Sequence, residues 1–426
     1  MFPFLRSCVA VLFAFLVLIE SSGAQEELSL QQAVNLALLQ NPQLLLAQQE
    51  IAAEQGRSAL AGALPPAEIF TRFNEIGFDF AAANAIEIGF SQGFEFPGKR
   101  GGRKAVAGAD RQIAELQLAR FRVLLTAEVK KRYHENLLAN ENFTSQQFAV
   151  QLLEDLQRLI TERYQSGTAS YVDVVRSRIE LGRGRSELAA ALQEQIVALS
   201  KLNLLLGRQS PQLLKLSDSL AYAPLTLPRD SISAFVAQRS NLRQIFSAAV
   251  ERQRRVLRLA QLVGRPDFSL GASFQRVAEN PPFTAARPDG ETVDAFGIEA
   301  SISLPLFNRA APKGEAQMAQ AELAAAETRL AYFEQQSQQN FETAFAGVTA
   351  AEKQVLEFRN VVLPESQNAV NAAVAAYQSS QLSLTDLLDV YRTAEQVRLE
   401  KSRLIFDYLT ARADLEAVGE KFEQAE

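Results

Sequence analysis

The apolar positions of this chain follow two different periods. Over most of its length Leu, Ala, Val and Ile recur every three to four residues among Gln, Glu and Arg, the spacing of an amphipathic helix. From Arg103 to about Tyr164 there is almost no helix breaker. Phe121, Leu125, Val129, Tyr133 and Leu137 form an i,i+4 ladder there, carried onward by Leu152, Leu156 and Leu159. At ~1.5 Å per residue this helix reaches about 90 Å. A second run covers Val172–Leu206, with Leu188, Leu192, Ile196, Leu199 and Leu206 as its stripe. A third runs from Gly314 to Tyr377 and a fourth from Leu384 to Val418. Helices this long exceed globular practice and point to coiled-coil-like assembly. Gln, Ala and Ser interrupt the stripes. Such small residues let helices approach closely and pack on two sides, in a sheet or tube of helices as well as in a bundle. Pro364, inside the third run, predicts a kink.

Four segments switch to a period of two. Ile86, Ile88, Phe90, Phe94 and Phe96 alternate with Glu87, Gly89, Ser91, Gly93 and Glu95. Phe268, Leu270, Ala272 and Phe274 alternate with Ser269, Gly271, Ser273 and Gln275. Phe296, Ile298, Ala300, Ile302, Leu304 and Leu306 alternate with Gly297, Glu299, Ser301, Ser303 and Pro305. The stretch from Ile69 to Phe80 is less regular but rich in Phe. The strands therefore form two pairs. The connection of the second pair, Glu279–Asp294, carries Pro281, Pro282, Pro288 and Gly290, as a surface loop does. Each strand is about 10 residues, enough to cross a membrane as part of a barrel. One face is Phe, Ile and Leu and the other is Gly, Ser, Gln and Glu, a lipid-out, lumen-in pattern. The alternative is a half-buried sheet of a water-soluble domain. In hydrocarbon no strand edge can stay unpaired, and four strands cannot close a barrel, so the strands must be pooled with copies of the chain.

The first 24 residues read as a secretory signal: Arg6 in a short n-region, an apolar run Val9–Ile19, and Ser22 and Ala24 before a cut at Gln25. The apolar run is shorter than the ~20 residues of a spanning helix; an uncleaved anchor is the alternative reading. Cys8 lies in this segment, so the mature chain has no cysteine for a disulfide or a lipid anchor. The net charge of -6 argues against a nucleic-acid partner. With one His, one Cys and no Trp, neither a histidine metal site nor a Cys–His nucleophile pair can be built. His134 and Met318 read as packed or exposed residues rather than ligands, and no cofactor is expected.

The plan is duplicated: helix, strand pair, long helix, turn, long helix. Tyr164-Gln165-Ser166 before Asp173 recurs as Tyr377-Gln378-Ser379 before Asp386, an offset of roughly 213 positions. Pro66 and Pro266 precede the two strand pairs. The expected divisions are a signal (1–24), a first repeat (25–207), a linker (208–230, with Pro211, Pro224 and Pro228), a second repeat (231–420) and a tail (421–426). Strands are expected at about 67–80, 85–96, 266–277 and 294–307. Long helices are expected at about 98–165, 171–207, 311–378 and 383–418.

Several motifs in this order resemble the TolC family of outer-membrane efflux proteins. Leu28-Ser-Leu-Gln-Gln-Ala-Val-Asn-Leu-Ala-Leu-Leu-Gln-Asn41-Pro42 is similar to the family's opening helix and its Asn-Pro break. Phe94-Glu-Phe-Pro97-Gly98-Lys99-Arg100 is similar to the exit from the second strand, and Ser303-Leu-Pro305-Leu-Phe307-Asn308 to the matching exit in the second half. The resemblance covers essentially the whole mature chain. It implies a mainly α chain with a small β part: a homotrimer in which four strands per protomer form a 12-stranded transmembrane β-barrel and the helices a tube across the periplasm. Residues 208–230 and the tail would belt that tube. It further implies residence in the outer membrane of a Gram-negative bacterium, contact with its lipid, and a periplasmic adaptor (membrane fusion) protein joined to an inner-membrane transporter of RND or ABC type. No catalysis is implied.

By the same resemblance the two turns form the gate and the adaptor contact, at Tyr164, Gly167, Thr168, Ser379, Ser380 and Leu382. Asp386 and Asp389 match aspartates that ring the pore constriction, where acidic rings concentrate cations. The competing role for Asp386, and for Asp173, is to cap a helix start. Asp173 would pair with Tyr377 and with an Arg at the position this chain fills with Leu382, so the closing ion pair is absent or weaker. The basic cluster Lys99, Arg100, Arg103 and Lys104 would lie just inside the membrane's periplasmic face, meeting headgroups or another protomer's acids; the plainer reading is a solvated face. Its Gly-Lys-Arg form is similar to members that serve heavy-metal pumps. The cargo stays open between metal ions, drugs and a secreted polypeptide, as in a type I secretion duct. A periplasmic coiled-coil tether or adhesin with a small β tip is the alternative from another class, and an enzyme the poorest fit.

Overall fold

The computed structural model describes residues 27–76, 83–208, 214–226, 228–277, 293–304, 310–379 and 381–420. The expected signal (1–24), Ser380, the loop prolines 281, 282 and 288, Pro305, Phe307 and the tail lie outside them.

In chain order the elements are β1 (Glu27–Leu28), α1 (Leu30–Gln40), α2 (Pro42–Ala61), β2 (Ala67–Ile76), β3 (Ala83–Phe94), α3 (Lys99–Gln165), α4 (Tyr171–Leu205), β4 (Lys215–Leu216), α5 (Arg229–Arg239), α6 (Asn241–Ala260), β5 (Asp267–Val277), β6 (Val293–Ser303), α7 (Ala310–Glu357), a π-helical turn (Phe358–Val362), α8 (Leu363–Gln378) and α9 (Leu384–Gly419). The chain is mainly helical. It divides into two compact units, one of residues 46–120 and 241–336, the other of residues up to 45, 121–240 and from 337 onward.

The first unit holds a four-stranded antiparallel sheet of order β2-β3-β5-β6, leaving β2 and β6 as edges. Its register sorts the faces cleanly. Directly opposed positions include Ile69↔Phe90, Phe73↔Ile86, Ile88↔Phe274, Phe268↔Ile302, Ala272↔Ile298 and Phe274↔Phe296, all on one face. The other face carries Glu68, Phe70, Gly89, Ser91, Ser269, Gly271, Ser301 and Glu299. The irregularity of the first strand is now explained, because there the odd positions Ile69, Thr71 and Phe73 share the apolar face. Phe70 alone among the β2 phenylalanines up to 73 falls on the polar face, lying over Gly89. A Cβ at Gly89 would stand 2.3 Å from its ring, so only glycine fits beneath it.

The second unit is helical. Ser29 and Gln32 form a capping box that starts α1. Asn41 ends it and starts the next helix: its Oδ1 accepts from the amides of Gln43 and Leu44, and its Nδ2 donates to the Leu205 carbonyl at 2.9 Å. Pro42 takes the first position of α2, where no amide proton is needed. On α3 the stripe Leu125, Val129, Tyr133 and Leu137 is buried.

Two expectations for the helices need correction. On α4, Leu192 and Ile196 are exposed. The buried row is instead Val174, Ser177, Leu181, Gly184, Ala191, Ala198 and Leu202, a near-heptad seam. Small residues form this seam because α3 comes so close that a Cβ at Gly184 would lie 2.9 Å from Leu153. The expected single helix 311–378 is interrupted by the π turn Phe358–Val362 just before Pro364, with the Leu363 amide bonding back to the Phe358 carbonyl. Proline lacks an amide proton and crowds the carbonyl four residues earlier; the wider turn absorbs both.

Residues 214–226 are tied down within this unit. β4 pairs in parallel with β1, and the Tyr222 hydroxyl donates to Glu352 at 2.6 Å. Asp218 accepts from the Tyr133 hydroxyl at 2.7 Å and the Leu30 amide at 2.8 Å.

Candidate functional site

The end of the helical unit carries the two turns. After α3, the amides of Thr168 and Ala169 both donate to the Arg163 carbonyl, and Gly167 takes a left-handed φ of 76°. After α8, the amides of Gln381 and Leu382 both donate to the Ala376 carbonyl in the same way. Ser170 then caps α4 and Ser383 caps α9. The Ser170 hydroxyl donates to Asp173 at 2.7 Å and the Ser383 hydroxyl to Asp386 at 2.6 Å, while each serine oxygen accepts the aspartate's own amide at 3.2 Å. Both aspartates therefore serve as helix-start acids in the observed geometry.

Behind the turns Ile160, Val174, Leu384 and Leu388 form a buried cluster, with Leu153, Leu156 and Tyr377 packed against it. It joins the α3–α4 hairpin to the α8–α9 hairpin. The Tyr377 ring faces the Arg163 guanidinium, 5.1 Å from centroid to carbon. Asp173 bonds Ser170 rather than Tyr377. Asp389 pairs with Arg392 at 2.9 Å, and Arg392 also reaches Glu180 of α4 at 2.5 Å. Arg176 donates to Thr385 at 2.7 Å. Tyr164, Gly167, Thr168 and Ser379 are exposed on the turns and Leu382 is half-buried. The spacing of Asp389 and Arg392 was visible in the sequence. Arg163, Arg176 and Glu180 were not, because their partners lie roughly 200 positions away.

In the sheet unit, Phe296 is 87% and Ile298 91% exposed, with Ile69 and Leu270 also largely bare. An apolar face of this extent marks a surface that meets hydrocarbon or another chain. The opposite face is polar and locally paired, by Arg72 with Glu87 at 3.3 Å and by the Ser269 and Ser301 hydroxyls at 2.7 Å. The basic cluster beside it is not a free solvated face. Lys99 pairs with Asp267 at 2.9 Å, Arg103 with Glu95, and Arg100 donates to the Gly62 carbonyl at 2.5 Å. Lys104 stays exposed. These contacts lock the strand-to-helix junction to the end of α2 and the start of β5.

Among the described residues no three His, Cys, Asp or Glu side chains come together as a metal site, and no helix is long and apolar enough to cross a membrane. The second fact says nothing of a β-barrel. A four-stranded sheet with an exposed apolar face, on a chain otherwise made of long paired helices, defines the class: a mainly helical protein with a small antiparallel β part.

The model of the family described as outer membrane efflux protein matches residues 78–208. The cobalt-zinc-cadmium resistance protein CzcC of Cupriavidus metallidurans is 24% identical over 377 residues, covering 87% of this chain and 85% of that protein. The Campylobacter jejuni CmeC outer membrane channel superposes with a TM-score of 0.75 at 16% identity, covering 93% of this chain and 87% of that one. The open state of the Neisseria gonorrhoeae MtrE outer membrane channel gives 0.73 at 17% identity, with 92% and 88% covered. The chain is thus similar to outer membrane efflux proteins, in sequence over residues 78–208 and in fold over most of its length. Both of these solved structures are described as outer membrane channels.

Proposed function

We infer that this chain is the outer-membrane exit duct of a tripartite efflux system, working as a homotrimer with a periplasmic adaptor and an inner-membrane RND- or ABC-type transporter. The observation that carries this reading is the sheet: two unpaired edges, β2 and β6, beside an exposed apolar face. Hydrocarbon does not tolerate unpaired edges, so closure needs further copies, and three would make a twelve-stranded barrel. The polar face would then line a water-filled lumen. Residues 25–207 and 231–420 would be two versions of one structural plan, which the equal bond pattern of the two turns supports. The segment 208–230 would belt the tube.

The turns would form the gate and the adaptor contact. Asp386 and Asp389 are exposed, as a charged constriction requires, even though each also has a partner within its own helix. Asp173 and Tyr377 would contribute to closure through the hairpin cluster rather than through a bond to each other. Similarity to a cobalt-zinc-cadmium resistance protein, together with Gly98-Lys99-Arg100, supports heavy-metal ions as the cargo class.

The test is the mass of the detergent-solubilised particle together with its conductance in a planar bilayer. Three chains per particle and a cation-selective pore are expected. A single copy that stays dissolved without surfactant sinks the reading.

A further inference from the structure

A cavity of about 690 Å³ lies inside the helical unit, walled by α3, α4, α8 and α9. Its lining is mixed, with Leu152, Leu156, Val370, Leu388 and Leu399 forming the apolar part of the wall. Three carboxylates also line it, Glu180 and Glu187 of α4 and Glu395 of α9, together with Arg183, Arg392 and Arg398. The charges around Glu187 and Glu395 are otherwise engaged: Glu180 is held by Arg183 and Arg392, and Arg398 lies over the Phe148 ring. Neither Glu187 nor Glu395 has an ion-pair partner among the described residues. Burial pushes the Glu395 carboxyl above the usual carboxylate range, the nearby Glu187 adds to this, and Gln146 and Arg398 pull it partly back.

A second, independent observation sits beside this pair. Gln146 is only 8% exposed and lines the same cavity, yet its Oε1 has no hydrogen-bond partner, and neither has Oε1 of Glu395. Both unsatisfied atoms are acceptors. Buried acceptors are costly to leave unpaired, so the missing occupant must bring N–H donors. Two carboxylates ask for positive charge, and leucine walls ask for hydrocarbon. A divalent cation is a poor match, since only two of the three carboxylates are without an ion-pair partner and such ions take oxygen ligands in larger number. The volume falls in the range of organic-ligand pockets.

The geometry points to a binding site for an amphipathic organic amine, its ammonium group set among Glu395, Glu187 and the Gln146 carbonyl oxygen and its hydrocarbon part on the leucine walls. This goes beyond the duct role, which needs no resident site, and it does not rest on that role.

The probe is monodansylcadaverine, a fluorescent primary amine, titrated into the full chain purified in detergent. Saturable binding is expected. Glu395→Gln and Glu187→Gln should each weaken it by about tenfold or more, the loss of a charge-assisted hydrogen bond. The N-acetylated probe, which keeps the ring and loses the charge, should bind wild type and variants alike and weakly. Equal affinity of wild type, both variants and both probes would mean partition into apolar surface and overturn the site, as would the lack of any saturable binding to wild type. Should a Gln variant fail to fold, Val370→Trp, which fills the cavity and leaves the carboxylates in place, must still abolish binding of the charged probe; retained binding overturns the proposal. Particle mass and conductance are read separately, so a failure of this site and a failure of the duct are distinguishable.

Discussion

The strand sheet and the hairpin end of the helices treat the same kind of side chain in opposite ways. In the sheet, Phe296 and Ile298 stand bare while Gly89, Gly271 and Ser269 occupy the other face. At the hairpin end, Ile160 is fully buried, Leu384 and Leu388 nearly so, and Ser166, Thr168, Ser379 and Asp386 face outward. Apolar residues seek the apolar side in both places. The difference is where that side lies: within the chain at the hairpins, outside it at the sheet. One polypeptide is thus built for two solvents. The helical end is an ordinary packed core, whereas the sheet, in the proposed duct, would be completed by lipid and by other copies.

The largest effect is expected on the exposed apolar face of the sheet. Ile298→Arg should cost about 2–4 kcal/mol in each copy if the position faces the bilayer interior, seen as loss of trimer from membrane extracts. Unchanged trimer yield would break the contrast by making the sheet an ordinary surface. Next, Ile160→Ala should lower the stability of the helical part by about 2–5 kcal/mol through an unfilled cavity, read as a lower thermal midpoint by circular dichroism with the barrel still heat-resistant.

A third test uses His134, buried on α3 with Nδ1 unpartnered. Burial pushes its pKa down to about 4, helped by the Lys130 and Arg412 charges and opposed by Asp218. The unfolded imidazole takes its proton near pH ~6.5. Between these values the unfolded chain binds more protons, so helical stability should fall as pH drops from about 6.5 to about 4, by about 3 kcal/mol in total, and be level above and below. His134→Gln should remove that slope from the melting curves; an unaltered slope would assign it to other groups. The smallest effect is at the caps. Ser170→Ala and Ser383→Ala should each cost about 1 kcal/mol, seen as faster amide exchange in the first turn of α4 or α9 and nowhere in the sheet.

Much of this was legible in the chain. The alternation at Ile86–Phe94 and Phe296–Ile302 named both the strands and their faces, because a period of two is imposed by the pleat itself. Asp173 and Asp386 were readable as acids at helix starts, and both lie in the first turn of their helices. Other features were misread for identifiable reasons. The α4 stripe was drawn through Leu192 and Ile196 because large apolar residues dominate a periodicity count, while the real seam uses Ser177, Gly184, Ala191 and Ala198. Lys99, Arg100 and Arg103 looked like a free patch because Asp267 and the Gly62 carbonyl are distant in sequence and silent in any local pattern.

By itself the sequence determined what is local: which stretches are helix or strand, which face of each strand is apolar, where Pro364 disturbs a helix, and where Asp173 and Asp386 stand at helix starts. Each follows from backbone geometry and near neighbours, which the order of residues sets directly. Tertiary structure alone decided the pairing of β3 with β5, the bridge from Arg392 to Glu180, and the placement of Glu395, Glu187 and Gln146 along one pocket. Those depend on side chains separated by many tens to hundreds of positions, and proximity of that kind is a property of packing.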